Sequence, residues 1–196
     1  METVNNKVKF GLKNFYIAPL DFDGTKYTYE VPFKVPGAVA LGMDPSGESG
    51  DFYADDTIYY SSTENQGYSG DLEIADTPDE MREKIYRESV DKNGAYIENS
   101  EVEIRQGAVI FEIKGDKQNR RIVYYNCSFS RPKSSAKTKE NSKTPATDTI
   151  TIKMMPRETD HKVRAILKLS TTNKTAYDAF FAKVYEEETA TQVSSK

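Results

Sequence analysis

The sequence has no tryptophan, one cysteine and one histidine among 196 residues, and each scarcity closes off a class of chemistry. A lone Cys127 excludes an internal disulfide and a cysteine-cluster metal site. It falls in the middle of an alternating strand pattern, which predicts a buried structural thiol. The one histidine, His161, lies between Asp160 and Lys162 in a predicted turn. It reads as a solvated loop residue, so Ser/His/Asp and Cys/His sets have no placed base. There is no run of eighteen apolar residues and hence no membrane-spanning helix. The opening METVNNKVKF lacks the apolar stretch of a secretion signal, so an intracellular product is expected. Only 37% of residues are hydrophobic, 30% are charged and mean hydropathy is -0.71. That composition predicts a modest core under much polar surface, and the length suits one domain over 1–196.

The most local absence is of positive charge: no Lys or Arg occurs between Lys34 and Arg82. Residues 44–80 instead hold eleven acids, from Asp44 and Glu48 to Asp79 and Glu80, with Phe52, Tyr53, Tyr59, Tyr60 and Tyr68 threaded among them. Long polar connections are usually functional or disordered, and disordered segments are poor in aromatics. Residues 44–70 are therefore read as an acidic assembly loop that packs on another molecule. Its candidate contact residues are Asp51, Phe52, Tyr53, Asp55, Asp56, Tyr59, Tyr60 and Tyr68. The opposite charge gathers at 114–143, nine basic residues against Asp116 and Glu140, a balance of +7. Net charge of -4 with pI about 5.3 disfavours phosphate-backbone binding by the whole chain. Such asymmetry serves either nucleic-acid binding or head-to-tail self-association.

Strand patterns dominate. Val8, Phe10 and Leu12 alternate with lysines, Pro19 is expected to end the apolar run 15–18, and Asp21 to Gly24 form a turn. Tyr27, Tyr29 and Val31 alternate again, with Pro32 and Pro36 marking an edge strand. After a short strand at 72–75, Thr77-Pro78-Asp79-Glu80 predicts a capping box opening a helix over about 77–91. Met81, Ile85 and Val90 would form its buried stripe and Asn93-Gly94 its stop. The β-branched and aromatic runs 108–113 and 122–127 predict a central hairpin. A basic, mobile loop follows at 132–148, then a last hairpin of 149–154 with 163–169 around Pro156. Tyr177, Phe180, Phe181 and Val184 fall at i, i+3, i+4 and i+7, predicting a second helix over about 174–187. A polar C-terminal tail, 188–196, closes the chain. Six or seven strands with two helices give a mainly β fold, an antiparallel β-sandwich or partly closed barrel.

Catalytic and metal chemistry does not emerge. The acidic pairs Asp21/Asp23, Asp55/Asp56 and Asp71/Glu73 fit neither calcium-loop template and read as turn residues and solvated surface. Gly115-Asp116-Lys117 lacks the flanking residues of a phosphate loop. Tyr124, Tyr125 and Phe129 alternate within a strand and are expected in the core rather than as stacking platforms. No catalytic residue, metal ligand or cofactor is assigned, and the chain is not expected to be an enzyme.

Several local patterns resemble the major tail protein family (tail tube proteins) of long-tailed bacteriophages and prophages of Gram-positive bacteria. They are Lys7-Val8-Lys9-Phe10-Gly11-Leu12-Lys13-Asn14, Val35-Pro36-Gly37-Ala38, Phe52-Tyr53-Ala54-Asp55-Asp56 with Tyr59-Tyr60, and Gly67 to Ala75. Pro78-Asp79-Glu80, Tyr125-Asn126-Cys127 with Ser130-Arg131-Pro132, and Tyr177-Asp178-Ala179-Phe180-Phe181 complete the set, in order over residues 7–185. One departure is the last helix, where relatives often carry tryptophan and this chain has phenylalanine. The resemblance implies a β-sandwich of the tail tube type whose copies form hexameric rings stacked into a hollow tail. Phage DNA would pass through the lumen without specific binding. Terminator, tip and tape measure proteins would be partners, and the protein would reside in the virion tail after synthesis in the host cytoplasm. The alternative is a carbohydrate-binding β-sandwich module that uses the five aromatics of 44–70 as a sugar-stacking platform.

Overall fold

The computed structural model describes residues 11–47, 49–54, 57–113, 116, 118–134 and 146–188, with 49–63 described by backbone alone. In chain order the strands are β1 (Leu12–Phe22), β2 (Tyr27–Tyr29), β3 (Phe33–Lys34), β4 (Ala38–Leu41), β5 (Asp44–Pro45), β6 (Ser49–Ala54), β7 (Thr57–Thr63) and β8 (Tyr68–Ile74). Helix α1 (Asp79–Lys84) precedes β9 (Ser89–Val90), β10 (Tyr96–Ile97), β11 (Gly107–Ile113), β12 (Arg120–Phe129), β13 (Asp148–Met155) and β14 (Arg164–Lys168). Helix α2 (Lys174–Asp178) then tightens into a 3-10 turn, Ala179–Phe181.

One antiparallel sheet of ten strands runs β2-β1-β11-β12-β13-β8-β4, with β3 added to β1, β5 to β8 and β14 to β12. The stretch carrying β3 and β4 touches both ends of this path: β3 pairs with β1, and Ala38 and Leu41 pair with Ile74 and Leu72 of β8. The sheet therefore curls around its core but stays open and does not close into a barrel. Alternation along the central strands sends Phe15, Ile17, Val109, Phe111, Tyr124, Leu72, Ile150 and Ile152 to the inner face, where Met81, Ile85 and Tyr86 cap them. On the outer face, Ala18, Ala108, Ile110, Val123 and Tyr125 are covered by Phe180 and Val184. The predicted hairpin of β11 and β12 is thus present, central and buried on both faces, and Tyr124, Tyr125, Phe129 and Cys127 lie in the core.

Five expectations are corrected. Pro19 does not end its strand; it sits inside β1 opposite Gly107 while its carbonyl accepts the Glu30 N–H at 2.9 Å. The predicted hairpin of 149–154 with 163–169 does not form. β13 has one edge on β12 and the other on β8, so no edge remains for β14. β12, ten residues long, takes β13 along Asn126–Phe129 and β14 along Arg120–Tyr124, and the Tyr125 N–H bridges to the Val163 carbonyl at 3.0 Å. Residues 156–162 are expelled as a loop from what is otherwise one long partner strand.

The helix expected over 77–91 is only six residues, Asp79–Lys84, with Pro78 at its N-cap and no side-chain cap. The capping box fails because the Thr77 hydroxyl instead donates to buried Asp148 at 2.8 Å. Arg87 then takes φ of 55°, and 89–97 becomes a β9–β10 hairpin whose turn is held by the Asp91 carboxylate, which accepts the Asn93 and Ala95 N–H groups at 2.8 Å. Val90 is exposed there rather than buried. The second helix is likewise shorter than 174–187: α2 and the 3-10 turn end at Phe181, yet Tyr177, Phe180 and Val184 are buried as the spacing requires. Finally, 44–70 is not an open loop but carries β5, β6, β7 and the start of β8. Thr57–Thr63, TIYYSST, is rich in β-forming residues, and its acidic surroundings mask that signal.

Candidate assembly site

Strands β6 and β7 form a ribbon of their own. Ser49 pairs with Thr63, Asp51 with Ser61, Phe52 with Tyr60 and Tyr53 with Ile58, with an irregularity between Phe52 and Tyr53. Among the described residues this ribbon pairs with no other strand. Its base is tight. The Ser46 N–H donates to the Gly67 carbonyl at 2.8 Å and the Gln66 N–H to the Ser46 carbonyl at 2.9 Å. A Cβ on Gly47 would stand 1.8 Å from the Glu64 carbonyl oxygen, and one on Gly67, whose φ is +102°, 1.9 Å from that of Met154. Only glycine allows such backbone approach.

Of the candidate contact residues, Asp51, Phe52, Tyr53, Tyr59 and Tyr60 are placed on this ribbon by the backbone. Asp55 and Asp56 lie outside the described residues. Tyr68 does not join them. Its half-buried ring meets Tyr124 edge-on at 5.4 Å, with the Arg164 guanidinium 4.8 Å above it. Tyr68 anchors the ribbon to the core. A two-stranded ribbon is at best marginal in water. This one also concentrates Glu48, Asp51, Asp55, Asp56 and Glu64 with no basic residue between them.

Two cations of the basic half, Arg120 and Arg121, are committed within the fold. Arg120 donates to Asp116 at 2.6 Å, and this hydrogen bond holds the Asp116 carboxyl below its ordinary range. Arg121 donates to the Tyr177 carbonyl and to Glu112, and lies 3.8 Å from the Tyr177 ring and 4.6 Å from that of Phe181. Most of the remaining basic segment, 135–145, lies outside the described residues. Sequence spacing gave no sign of the burial of Arg157. It is 5% exposed and donates to Asp160 at 2.9 Å, to Glu186 at 2.6 and 3.1 Å and to the Tyr29 hydroxyl at 3.4 Å. The Tyr125 ring stacks 4.5 Å away. Lys162 adds contacts to Asp160 at 3.3 Å and Glu187 at 3.0 Å. Burial raises the Asp160 carboxyl, but the bonds from Arg157 and the Lys162 N–H outweigh it and bring it to about 2. The loop expelled from the β13–β14 strand is thus the clamp that holds the C-terminal segment on the sheet.

The other sequence candidates are structural. Cys127 is fully buried, and burial pushes its thiol far above the ordinary range. His161 is exposed in the 157–162 loop with φ of 56° and donates its N–H to the Arg157 carbonyl at 2.9 Å. Asp21 accepts from Arg105. Asp71 accepts from the Thr151 hydroxyl and Glu73 from that of Thr147, each at 2.7 Å. Among the described residues no cluster of three or more His, Cys, Asp or Glu could hold a metal ion, and no helix is long and apolar enough to cross a membrane.

The family model described as "Phage tail tube protein" matches residues 45–193. Among curated proteins none matches. Similar solved structures include the tube-terminating cap of the anti-feeding prophage, at 12% identity over 86% of this chain and 97% of that one, TM-score 0.46. A chain of the sheath–tube complex of an extracellular contractile injection system is 11% identical over 86% and 99%, TM-score 0.46. A chain of the anti-feeding prophage baseplate is 9% identical over 88% and 99%, TM-score 0.41.

Proposed function

The chain belongs to the phage tail tube protein family, and from that premise we propose that its copies close into hexameric rings that stack into the tube of a phage tail, through which DNA passes. The role is structural rather than catalytic, the place of action is the virion tail, and terminator, tip and tape measure proteins are the partners at its ends. The observation that carries this reading is the β6–β7 ribbon, which stands apart from the ten-stranded sheet on a rigid base. A ribbon of that kind gains stability from a second surface. Repeated heterologous contacts close rings by rotation and continue them along an axis. In this reading Asp51, Phe52, Tyr53, Asp55, Asp56, Tyr59 and Tyr60 meet a neighbouring subunit, while Tyr68 fixes the ribbon's exit from the core. The sugar-binding alternative loses Tyr68 from its platform, because that ring packs between Tyr124 and Arg164.

The experiment compares the full chain with a variant in which residues 48–63 are replaced by a short glycine linker. The close approach of Gly47 to Glu64 lets such a linker span the gap. The wild type should give rings or tubes in negative stain. The variant should keep its far-UV circular dichroism and its urea midpoint, to within about 1 kcal/mol in stability, and remain monomeric in light scattering. Normal tubes from the variant would overturn the ribbon's role. A wild type that stays monomeric over all salt and protein concentrations would overturn the function.

A further inference from the structure

Asn93-Gly94 is the one Asn-Gly step in the chain. Both residues are exposed at the turn of the β9–β10 hairpin. Gly94 takes φ of +83°, and a Cβ added to it would meet nothing within 4 Å. Asparagine followed by glycine is the pair most open to attack by the backbone on a side chain, because glycine puts no side chain in the path. The Gly94 nitrogen gives its proton to solvent and bonds to Cγ of Asn93. The bond from Cγ to Nδ2 breaks, the amide leaves with a proton as ammonia, and a five-membered succinimide remains. Water then opens the ring at either carbonyl and leaves aspartate or isoaspartate at 93. Every step is redox-neutral and needs water alone.

The closed hairpin withholds both groups that this reaction uses. The Gly94 N–H donates to the Asp91 carbonyl at 3.0 Å. The Asn93 side-chain amide donates to Oδ2 of the Asp91 carboxylate at 3.2 Å. Oδ1 of the same carboxylate accepts the N–H groups of Asn93 and Ala95, each at 2.8 Å. The bond from Ala95, and after it that from Asn93, holds the Asp91 carboxyl below its ordinary range, so the group is ionised at neutral pH. Its charge opposes the reaction a second way, by repelling the negative charge that gathers on the Gly94 nitrogen and then on the attacked carbonyl oxygen. The restraint is local. β9 and β10 are two residues each and, among the described residues, pair only with one another. Such a ribbon opens well below the free energy of global unfolding. The geometry points to Asn93-Gly94 as a latent modification site, which forms a succinimide only while the hairpin is open and which Asp91 keeps unreactive while it is closed. Either product sets a new carboxylate beside Asp91, and isoaspartate also adds one methylene to the backbone of the turn. Both changes oppose re-formation of the hairpin. The reaction belongs to the single chain and needs no assembly.

The test incubates the full chain, Asp91→Ala and Asp91→Asn in mildly alkaline buffer, folded and in concentrated urea. Peptide mapping by mass spectrometry follows the exchange of amide for acid at each asparagine, and isoaspartate is counted by enzymatic methylation. In urea every chain should react fastest at Asn93, at similar rates. The folded wild type should react at least about ten-fold more slowly than in urea, since one hydrogen bond to a charged group is worth about that factor in rate. Asp91→Ala should recover most of the difference while folded. Asp91→Asn keeps an acceptor for the two backbone N–H groups without the charge and should fall between them; it carries the comparison alone if the alanine variant does not fold. A folded wild type that reacts as fast as the unfolded chain would overturn the inference. Equal folded rates for the wild type and both variants would take the role from Asp91, and another asparagine reacting ahead of Asn93 in urea would take the site from Asn93. Either result overturns it equally.

Discussion

Replacement of Arg157 by leucine should detach the C-terminal segment from the sheet and cost about 2–3 kcal/mol. The figure follows from the geometry. Arg157 is 5% exposed and donates to Asp160, Glu186 and Tyr29 over the Tyr125 ring. Breaking a fully buried ion pair costs about 3–5 kcal/mol, because the abandoned charge stays dry. Here the abandoned carboxylates keep access to water, the Asp160 and Glu186 side chains being 31% and 47% exposed. That rehydration lowers the expected cost to the stated range. Leucine retains apolar contact with Tyr125, so the loss is chiefly electrostatic. Urea unfolding at low protein concentration, followed by the fluorescence of the thirteen tyrosines with no tryptophan to obscure it, reads the effect directly. The melting temperature should fall by about 4–12 °C for a chain of this size.

A pH series isolates the Asp160 share. Its carboxyl lies at about 2 in the fold against an ordinary 3.8. A depressed carboxyl stabilises the fold above its unfolded value, and that contribution is lost as pH falls from about 4 to about 2. The difference corresponds to roughly 2 kcal/mol, which the partial exposure of the side chain reduces to about 1 kcal/mol. The wild type should lose this increment on acidification and Arg157→Leu should not. A variant within about 0.5 kcal/mol of wild type at neutral pH, with an unchanged acid slope, would refute the clamp.

Two further substitutions probe neighbouring features. Phe180→Ala removes the largest fully buried side chain of the covering segment and should cost about 3–5 kcal/mol, read in the same urea assay, with dye binding to the bared outer face of β11 and β12. Gly67→Ala sets a Cβ against the Met154 carbonyl at a positive φ and should destabilise by more than the roughly 1 kcal/mol that compatible glycine replacements gain. A neutral melt there would show that the ribbon's base is not held by that approach.

The parts of the fold that sequence foretold are those in which one local rule acts alone. Ala108 to Ile113 and Ile122 to Cys127 are β-formers flanking a polar turn, and no tertiary contact competes with that pattern. Tyr177, Phe180 and Val184 keep their shared burial even though the helix and its 3-10 turn end at Phe181 and Val184 lies beyond them. The failures are places where a distant partner changes the outcome. Thr77 has a good capping box in sequence, and Asp148, seventy-one residues away, takes its hydroxyl. Residues 149–169 look like a hairpin until β8 and β12 occupy both edges of β13. The ribbon at 49–63 was legible as unusual through charge and aromatics, but its strands were hidden because acids are poor strand formers and dilute the alternation. Arg157 lay inside a polar, charged turn, and nothing in its neighbourhood announces that it is buried.

The clamp and the segment it holds also bear on the order in which the chain can complete itself. Residues 177–187 follow in the sequence every strand they cover, and their anchors Arg157 and Lys162 lie in a loop that exists only once β13 and β14 have both docked on β12. A chain emerging from the ribosome therefore shows the apolar outer face of β11 and β12 until the segment arrives and its acids find those cations. During that interval the most hydrophobic strands of the protein are exposed to every other copy being made. Tight closure by two acids that need no further folding shortens the interval, and so limits off-pathway sticking between copies.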